Sequence, residues 1–437
     1  MPTVACATLG CKVNQYESDR ILAGFAERGF SIVAAEAPAD VYVINTCSVT
    51  SVAEAKSRKL IRKLAKQNPG ATVVVTGCDA EMARLVGRTF PDATLIVAND
   101  AKLDIPRRVA DRFAARSSAQ APVTSVQPSH GPRIRRVIKV QDGCDMFCTY
   151  CSVPLTRGEV RSRSARDILA EVASAVATGH REIVLTGVLL GSYGRDFGGS
   201  RATGEHPGSG NAVEDLPSLI EEIAAVPGVE RIRLSSIEPP QVSERLLDAA
   251  AQIAAFTPHL HIPLQSGDDG VLAAMNRPYT RSEYRDLCRR ACNSIEDLAI
   301  TTDVMVGFPG ETDQAFENTL DLVREIGFAR MHVFRYSPRP LTAAASRTDQ
   351  VPESVRAQRA NRLGQVARDL QLAFARRYLG RTMDVLAEPL RDSPGWLAGY
   401  TPNYIRVVFE AEPSAVGQIV PVRLLRIRGA AVLGELS

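Results

Sequence analysis

Short apolar runs alternate with amphipathic helical patterns along most of this chain, and this alternation restricts the possible folds more than any other feature. Strands that alternate with helices pair in parallel, with the helices packed on the sheet. The N-terminal runs lie at 3–9, 41–45, 71–76 and 94–98. Further strands are predicted at 136–141, 182–186, 231–235, 259–264, 299–306 and 330–335. We therefore expect an α/β protein with an N-terminal parallel sheet and a central, partial barrel of strand–helix units.

The length of 437 residues and the changes in composition along the chain predict several domains. Residues 1–112 form the first α/β domain, and residues 113–132, which are small, polar and rich in Ser, Ala and Pro, read as a linker. Residues 133–372 form the central barrel. In residues 373–437, short strand patterns are broken by Pro and Gly, which predicts a small all-β barrel.

Three of the nine cysteines follow apolar runs of the N-terminal part. Cys11, Cys47 and Cys78 come after three successive predicted strands. Ligands of open parallel sheets gather at the carboxyl ends of the strands. We therefore expect these thiols to share one site; the alternative is three unrelated buried cysteines.

Three further cysteines form a compact group in the sequence DGCDMFCTYC. Cys144, Cys148 and Cys151 have the spacing C-x3-C-x2-C, which differs from the ferredoxin spacing and lacks its fourth cysteine. A structural zinc site needs a fourth ligand, and His130 and His180 are distant in sequence. An iron–sulfur cluster held by three thiolates, a zinc site and a plain loop all remain open from spacing alone.

The remaining composition excludes some classes of protein and favours a cytoplasmic one. No run approaches the ~20 apolar residues of a membrane span, and the N-terminus lacks a signal-peptide pattern. An odd number of cysteines favours reduced thiols over disulfides. The net charge of +3 says little about nucleic acid, but one predicted helix is densely basic, with Lys56, Arg58, Lys59, Arg62, Lys63 and Lys66.

The compact cysteine run on a six-strand barrel resembles the radical S-adenosylmethionine superfamily. With both cysteine groups, nearly the whole chain resembles the radical methylthiotransferases. The matching segments are LGCKVNQYES (9–18), NTCSVT (45–50), TGCDAE (76–81), DGCDMFCTYCSVPLTRG (142–158), LSSIEP (234–239), HIPLQSGDD (261–269), MNRPYT (275–280) and VGFPGET (306–312). The C-terminal segment resembles a TRAM domain, a small RNA-binding β-barrel.

The resemblance implies two [4Fe-4S] clusters and S-adenosyl-L-methionine as cofactors. The catalytic cluster on Cys144, Cys148 and Cys151 would bind S-adenosylmethionine and generate a carbon radical, which an unactivated C–H bond requires. The cluster on Cys11, Cys47 and Cys78 would hold the sulfur, which one S-adenosylmethionine methylates before transfer to the substrate carbon.

Further cofactor contacts are expected at the carboxyl ends of the barrel strands. They are Ser235, Ser236, Glu238, His261, Gln265, Gly307 and Gly310. The alternatives are a hydrogen-bonded barrel histidine for His261 and plain turns for the glycines. We expect Cys6, Cys288 and Cys292 to pack in the core, and Tyr400 and Tyr404 either stack on RNA bases or fill the small barrel.

The segment LGCKVNQYES most resembles the branch that methylthiolates carbon 2 of N6-threonylcarbamoyladenosine beside the anticodon of tRNA. The alternatives are isopentenyl-adenosine of tRNA, a ribosomal protein side chain or, in another class, a non-catalytic RNA-binding zinc protein. The expected partners are tRNA and a reducing electron donor of the flavodoxin or ferredoxin type.

Overall fold

The computed structural model describes residues 1–48, 51–114, 134–197, 215–390, 393 and 395–437. The chain forms two compact units, each built from separate stretches of sequence. The first unit comprises Met1–Arg133, Gly143–Glu159 and Ser337–Ala345, and the second comprises Ile134–Asp142, Val160–Tyr336 and Ser346–Ser437. The compact cysteine run therefore belongs to the first unit, together with the three N-terminal cysteines.

The first unit contains a five-stranded parallel sheet of order β2-β1-β3-β4-β5 with helices on both faces. Its elements, in chain order, are β1 (Thr3–Thr8), α1 (Lys12–Ala26), β2 (Ser31–Val33), β3 (Val41–Thr46), α2 (Ser51–Gln67), β4 (Thr72–Gly77), α3 (Cys78–Leu85), β5 (Leu95–Ile96), α4 (Ile105–Ala114) and, from the compact cysteine segment, α5 (Val153–Arg157).

Two apolar cores sandwich this sheet, which confirms the predicted parallel α/β layer. On one face Ile21 and Phe25 of α1 pack with Val109 of α4. On the other face Ile61 of α2 and Ala83 of α3 pack against the sheet. The central strands β3 and β4 are buried at every residue, which explains why they appear in the sequence as continuous apolar runs.

The second unit contains the predicted six barrel strands as two parallel triplets, of order β10-β9-β6 and β11-β12-β13. The triplets meet through a parallel bridge between Ser236 and His261. The elements are β6 (Arg135–Lys139), β7 (Gln141–Asp142), β8 (Arg161–Ser162), α6 (Ala165–Ala177), β9 (Glu182–Thr186), α7 (Leu216–Ala224), β10 (Arg231–Leu234), α8 (Glu244–Gln252), β11 (His259–His261), α9 (Asp269–Ala274), α10 (Arg281–Ser294), β12 (Ala299–Val306), α11 (Asp313–Ile326), β13 (Arg330–Arg335) and α12 (Glu353–Arg376).

The C-terminal segment is a closed barrel of order β14-β15-β16-β18-β17, as predicted. Its strands are β14 (Thr382–Pro389), β15 (Trp396–Tyr400), β16 (Arg406–Glu410), β17 (Ile419–Arg428) and β18 (Ala431–Leu436). Its interior, including Val407 and Phe409, is continuous with Phe374 of α12.

A buried charge cluster attaches this barrel to the start of the central strands. Glu182 of β9 accepts hydrogen bonds from Arg233, and Arg231 lies 3.8 Å from the same carboxylate. Both arginines also donate to backbone carbonyls of the C-terminal segment, Arg231 to Tyr400 at 3.3 Å and Arg233 to Pro402 at 3.0 Å. The C-terminal barrel is thus attached to the central strands by charged side chains that bond its backbone carbonyls, in addition to its apolar core.

Most of the predicted linker, from residue 115 onward, lies outside the described residues. No helix in the described part of the chain combines the length and the apolar character needed to cross a bilayer.

Candidate cluster and cofactor sites

The three N-terminal cysteines lie at one edge of the parallel sheet. Thr8 of β1 is level with Asn45 of β3, and Thr46 is level with Gly77 of β4. Cys47 and Cys78 directly follow the ends of β3 and β4, and Cys11 follows β1 by three residues. The sheet therefore brings these thiols to one edge.

Two glycines allow the backbone to approach this site closely. A Cβ atom added at Gly10 would lie 2.7 Å from the Cys47 sulfur, and one at Gly77 would overlap the Thr46 carbonyl oxygen. Both glycines have positive φ, of 104° and 98°. Only glycine fits at these positions, which accounts for the Gly-Cys pairs in the sequence.

Two helix N-termini point their backbone N–H groups toward the cysteine edge. Cys11 is the N-cap of α1, and Cys78 is the first residue of α3. Helix N-termini favour negative charge, so both positions suit thiolates. Cys47 and Cys78 are buried and Cys11 is exposed, so the site is open on one side.

Asn14, within the LGCKVNQ motif, holds two of the cysteine turns together. Its Nδ2 donates to the Leu9 carbonyl at 2.8 Å and to the Thr46 carbonyl at 2.9 Å. The Asn14 backbone carbonyl in turn accepts from Asn45 Nδ2 at 3.0 Å. Asn14 is 1% exposed, so a single buried amide fixes the backbone ahead of both Cys11 and Cys47.

A buried ionic group lies beside the same cysteines, and sequence reasoning did not identify it. Lys102 Nζ is 2.6 Å from Glu17 Oε2, and Arg157 Nη1 is 3.0 Å from Glu17 Oε1. Each of these side chains is 3% exposed. Arg157 also donates to Asn14 Oδ1 at 2.6 Å. The signal available in the sequence was Glu17, which occupies an otherwise amphipathic helix at a position that faces the sheet.

The charges of this group reach the cysteines. Although Cys11 is exposed at the surface, the surrounding protein raises the pKa of its thiol, and the Arg157 guanidinium opposes that rise. Burial lowers the pKa of Lys102, and the Glu17 carboxylate and the Cys78 thiol oppose that fall. The cysteine edge thus lies within the field of two buried cations.

The compact cysteine run is a closed loop that ends in α5. Cys144 N–H donates to the Gly158 carbonyl at 3.0 Å, and Cys151 N–H donates to the Cys148 carbonyl at 2.9 Å. Cys144, Cys148 and Cys151 are all half-buried. Phe147, between the cysteines, has φ 48° and is 64% exposed. The loop therefore presents its three thiols on a partly accessible surface.

The two cysteine groups are neighbours within the first unit. The hydroxyls of Ser48, next to Cys47, and Ser152, next to Cys151, share a hydrogen bond at 3.4 Å. Asn99 Nδ2 donates to the Thr156 carbonyl at 2.7 Å. With Arg157, these contacts connect the compact loop to the N-terminal sheet.

The chemistry of both donor sets fits clusters held by three thiolates. In a cubic cluster each thiolate binds a different iron, so three thiolates leave one iron without a protein ligand. Three cysteines at a glycine-lined edge, with two helix N-termini and buried cations, suit an anionic cluster.

In the second unit, the serine pair at the end of β10 offers an unused hydrogen-bonding group. Ser235 is 8% exposed, and its hydroxyl has no partner within the described residues, whereas Ser236 is exposed. A buried hydroxyl without a partner is costly unless a ligand bonds it. The predicted cofactor contact at Ser235 therefore fits the structure. Glu238, another predicted contact, forms an ion pair with the buried Arg277.

His261 belongs to a polar network inside the barrel. Its Nε2 lies 3.4 Å from Asp303 Oδ1, its Nδ1 lies 3.0 Å from Thr301 Oγ1, and His332 Nδ1 is 3.1 Å from Asp303 Oδ1. Burial alone would raise the pKa of Asp303, but the two histidines outweigh it and hold that pKa well below its usual range. Asp303 is thus paired with two histidines.

Gln265, Gly307 and Gly310 all adopt left-handed backbone conformations, with φ of 63°, 71° and 81°. Such a conformation is strained for Gln265, and strain of this kind is found where function requires it. At Gly307 a Cβ would overlap the Arg356 side chain, and at Gly310 it would lie 2.7 Å from Asp349 Oδ2. The glycines therefore have a structural reason to be present, independent of any cofactor contact.

The remaining sequence predictions have mixed outcomes. Cys6 and Cys288 are buried as expected, but Cys292 is exposed, which corrects that prediction. Tyr404 stacks on His259 with ring centroids 4.3 Å apart and on Tyr400 at 4.6 Å. These tyrosines are engaged within the second unit, so the structure favours the packing alternative over RNA stacking.

Comparison with known families divides the chain in the same order. Residues 3–97 match the uncharacterized protein family UPF0004, residues 138–323 the Radical SAM superfamily and residues 376–436 the TRAM domain. Among solved structures, the radical S-adenosylmethionine methyltransferase TsrM from Kitasatospora setae has a TM-score of 0.53 at 14% identity, covering 91% of this chain and 80% of its own. That likeness supports the fold.

Curated relatives extend over nearly the whole chain. The threonylcarbamoyladenosine tRNA methylthiotransferase MtaB of Bacillus subtilis (strain 168) is 35% identical, covering 98% of this chain and 94% of its own. MtaB of Thermotoga maritima is 36% identical, with 97% and 94% covered. The tRNA-2-methylthio-N(6)-dimethylallyladenosine synthase of Pelotomaculum thermopropionicum is 35% identical, with 98% and 96% covered. With its three family matches in order and its cysteine groups in place, the chain belongs to the radical S-adenosylmethionine tRNA methylthiotransferases.

Proposed function

We propose that this enzyme adds a methylthio group to carbon 2 of N6-threonylcarbamoyladenosine beside the anticodon of tRNA. The observation that carries the proposal is the meeting of two three-cysteine groups in one unit, through Ser48 and Ser152 and through Arg157. When bound, the clusters and S-adenosylmethionine supply the radical and the sulfur that an unactivated ring carbon requires.

The residues divide between the two expected clusters. Cys144, Cys148 and Cys151 hold the catalytic one, and their loop leaves the thiols half-buried beside an exposed Phe147. Cys11, Cys47 and Cys78 hold the second, at an edge whose exposed Cys11 leaves room for a transferable sulfur.

Within the second unit, the carboxyl ends of the barrel strands bind S-adenosylmethionine. Ser235 and Ser236 donate hydrogen bonds to its polar groups, and the buried, unpartnered Ser235 hydroxyl supports this most directly. His261 and Gln265 line the same strand ends, and Gly307 and Gly310 shape the neighbouring turn. Glu238, which is paired with Arg277, is a further contact to the cofactor.

The choice of threonylcarbamoyladenosine rests on the segment LGCKVNQYES and on the MtaB relatives. Because relatives named for dimethylallyladenosine are also up to 35% identical, isopentenyl-adenosine is the second candidate. The hydrogen-bonding groups of His261, Thr301 and Asp303 suit a substituent that carries a hydroxyl better than a purely apolar one.

An in vitro assay separates these candidates. Anaerobically reconstituted enzyme is incubated with S-adenosylmethionine, a reductant and either of two anticodon stem–loop RNAs, bearing threonylcarbamoyl- or isopentenyl-adenosine. We expect mass spectrometry to find a methylthio increment on the first RNA. Reaction of the second RNA alone would replace the proposal with its alternative, and reaction of neither would overturn both.

The cellular setting is part of the proposal. We infer a cytoplasmic enzyme that draws electrons from a flavodoxin- or ferredoxin-type donor, because cluster reduction needs a one-electron carrier. We also infer functional domains at residues 1–112, 133–372 and 373–437, joined by a linker at 113–132. The exposed cations of α2, namely Lys56, Lys59, Arg62, Lys63 and Lys66, provide a phosphate-binding surface for tRNA.

A further inference from the structure

Two buried cations in the first unit both bond the buried carboxylate of Glu17. Lys102 and Arg157 both bond Glu17, at 2.6 and 3.0 Å, and all three side chains are 3% exposed. Together these three side chains carry one net positive charge. Burying such a charge is costly unless an anion lies close to it.

The N-terminal cysteine edge is hydrogen-bonded to this ionic group, and a cluster bound at that edge would supply such an anion. Asn14 ties the ionic group to the cysteine turns, since it accepts from Arg157 and donates to the carbonyls of Leu9 and Thr46. An oxidised cubic cluster with three thiolates carries a net negative charge, which increases on reduction.

Arg157 also connects the two cysteine groups. It is the last residue of α5, which follows the compact cysteines by a few positions. Its guanidinium nevertheless bonds residues of α1, at Asn14 and Glu17. The segment of the compact cysteines therefore contributes one of the two cations beside the N-terminal cysteine turns.

We propose that Lys102 and Arg157, held by Glu17, are positioning residues that supply a fixed positive charge to the cluster on Cys11, Cys47 and Cys78. The charge stabilises this cluster and favours its reduced form. This inference rests on the proposed function in one respect, namely that the second cluster is bound.

The test uses Lys102→Met and Lys102→Arg in full-length protein whose compact cysteines are replaced by alanine, so that only the second cluster can form. Lys66→Met, an exposed lysine of the same unit, is the matched control. Two quantities are measured for each variant: the rise in melting temperature when the iron-free protein takes up its cluster, and the rate of iron loss to a chelator.

We expect Lys102→Met to melt higher than the parent without iron, because it removes a desolvated charge. We also expect its melting temperature to rise less on cluster uptake. Its iron should be lost to the chelator roughly tenfold faster, because one nearby charge at low dielectric has been removed. Its cluster should be reduced at a lower potential in an EPR-monitored titration. Lys102→Arg and Lys66→Met should behave as the parent does.

The outcomes are separable. If Lys102→Met matches the parent in thermal gain, iron loss and potential, the inference is wrong. If Lys102→Arg fails as Lys102→Met does, packing rather than charge is responsible, and the inference is again wrong. If the parent itself binds no cluster at these cysteines, the proposed function fails instead. Should Lys102→Met not fold, Glu17→Gln is measured in its place. Because it removes the carboxylate rather than a cation, we expect iron-free Glu17→Gln to melt at a lower temperature than the parent.

Discussion

At the scale of single residues, Asn14 explains why the first cysteine motif extends beyond its cysteine. Its side-chain amide is the common hydrogen-bond donor to the backbone ahead of Cys11 and Cys47. Its side-chain oxygen accepts from Arg157. The motif therefore specifies a hydrogen-bonded frame as well as a thiol.

Replacing Asn14 by Leu tests this frame. The variant has a similar size but leaves two buried carbonyls and Arg157 without their partner, so we expect a loss of about 2–4 kcal/mol in the free energy of unfolding of iron-free protein. Urea denaturation measures it. Asn68→Leu, just after the end of α2, is the control; equal losses in the two variants would contradict the assigned role of Asn14.

Cys78→Ala tests the ligand assignment at the same scale. Iron analysis of anaerobically reconstituted protein should fall from roughly eight to roughly four irons per chain, since one of two four-iron clusters is lost. Cys292→Ala removes an exposed thiol of α10 and should leave the iron content unchanged. An unchanged iron content in Cys78→Ala would remove that cysteine from the site.

At the scale of elements, α2 is distinguished by its exposed cations. Lys56, Lys59 and Lys63 are all exposed, whereas Arg58 pairs with Glu54 on the same helix. Exposed cations of this density suit a phosphate backbone.

Neutralising these three lysines to Gln should weaken tRNA binding and lower the slope of log affinity against log salt by about 0.9 for each phosphate that the helix no longer neutralises. Filter binding across a salt series measures this slope. The control neutralises Arg285, Arg289 and Arg290 of α10, which pair with acidic side chains. A slope that does not change in the α2 variant would exclude the helix from the tRNA surface.

The strands were predictable from sequence where their burial produces a clear apolar pattern. The six barrel strands and the strands β1, β3 and β4 were found because they are buried, apolar and bounded by turns. β2 was missed because a three-residue edge strand carries little periodic signal. The start of α1 at Lys12 has no capping signal in the sequence, because Cys11 acts as N-cap without a side-chain capping bond.

Only those parts of the cysteine sites that form local sequence motifs were predictable from the sequence. The cysteines could be grouped because each follows a strand end. The Glu17–Lys102–Arg157 group could not, since Lys102 and Arg157 are 85 and 140 residues from Glu17 and become its neighbours only when the fold forms. Tyr404 likewise resembles an RNA-stacking residue until His259 is seen against it.

At the scale of the whole molecule, Glu182 connects the central barrel to the C-terminal barrel within the second unit. Burial alone would raise the pKa of Glu182, but Arg233, Arg135 and Arg231 outweigh it and lower that pKa. A carboxylate whose pKa is lower in the folded protein than in the unfolded chain stabilises the fold at pH values above its unfolded pKa, which is 4.5 for Glu182. That stabilisation is lost as the pH falls through the lower, folded value.

Glu182→Gln should therefore cost about 3–5 kcal/mol at pH 7, because it leaves buried arginines without their carboxylate. The difference from the parent should shrink as the pH falls below the unfolded pKa of 4.5. Urea unfolding between neutral and acidic pH measures both effects. Glu230→Gln, from an exposed pair with Arg181, should change stability by less than about 0.5 kcal/mol. A Glu182→Gln deficit that stays constant with pH would contradict this account.

The central claim is that the two cysteine groups of one chain together methylthiolate tRNA. The most direct measurement is mass spectrometry of tRNA nucleosides from a strain that lacks this gene, complemented with the parent, with Cys148→Ala or with Cys78→Ala. We predict that only the parent restores the methylthio derivative of N6-threonylcarbamoyladenosine. Unchanged methylthio nucleosides in the deletion strain, or restoration by Cys78→Ala, would contradict the claim.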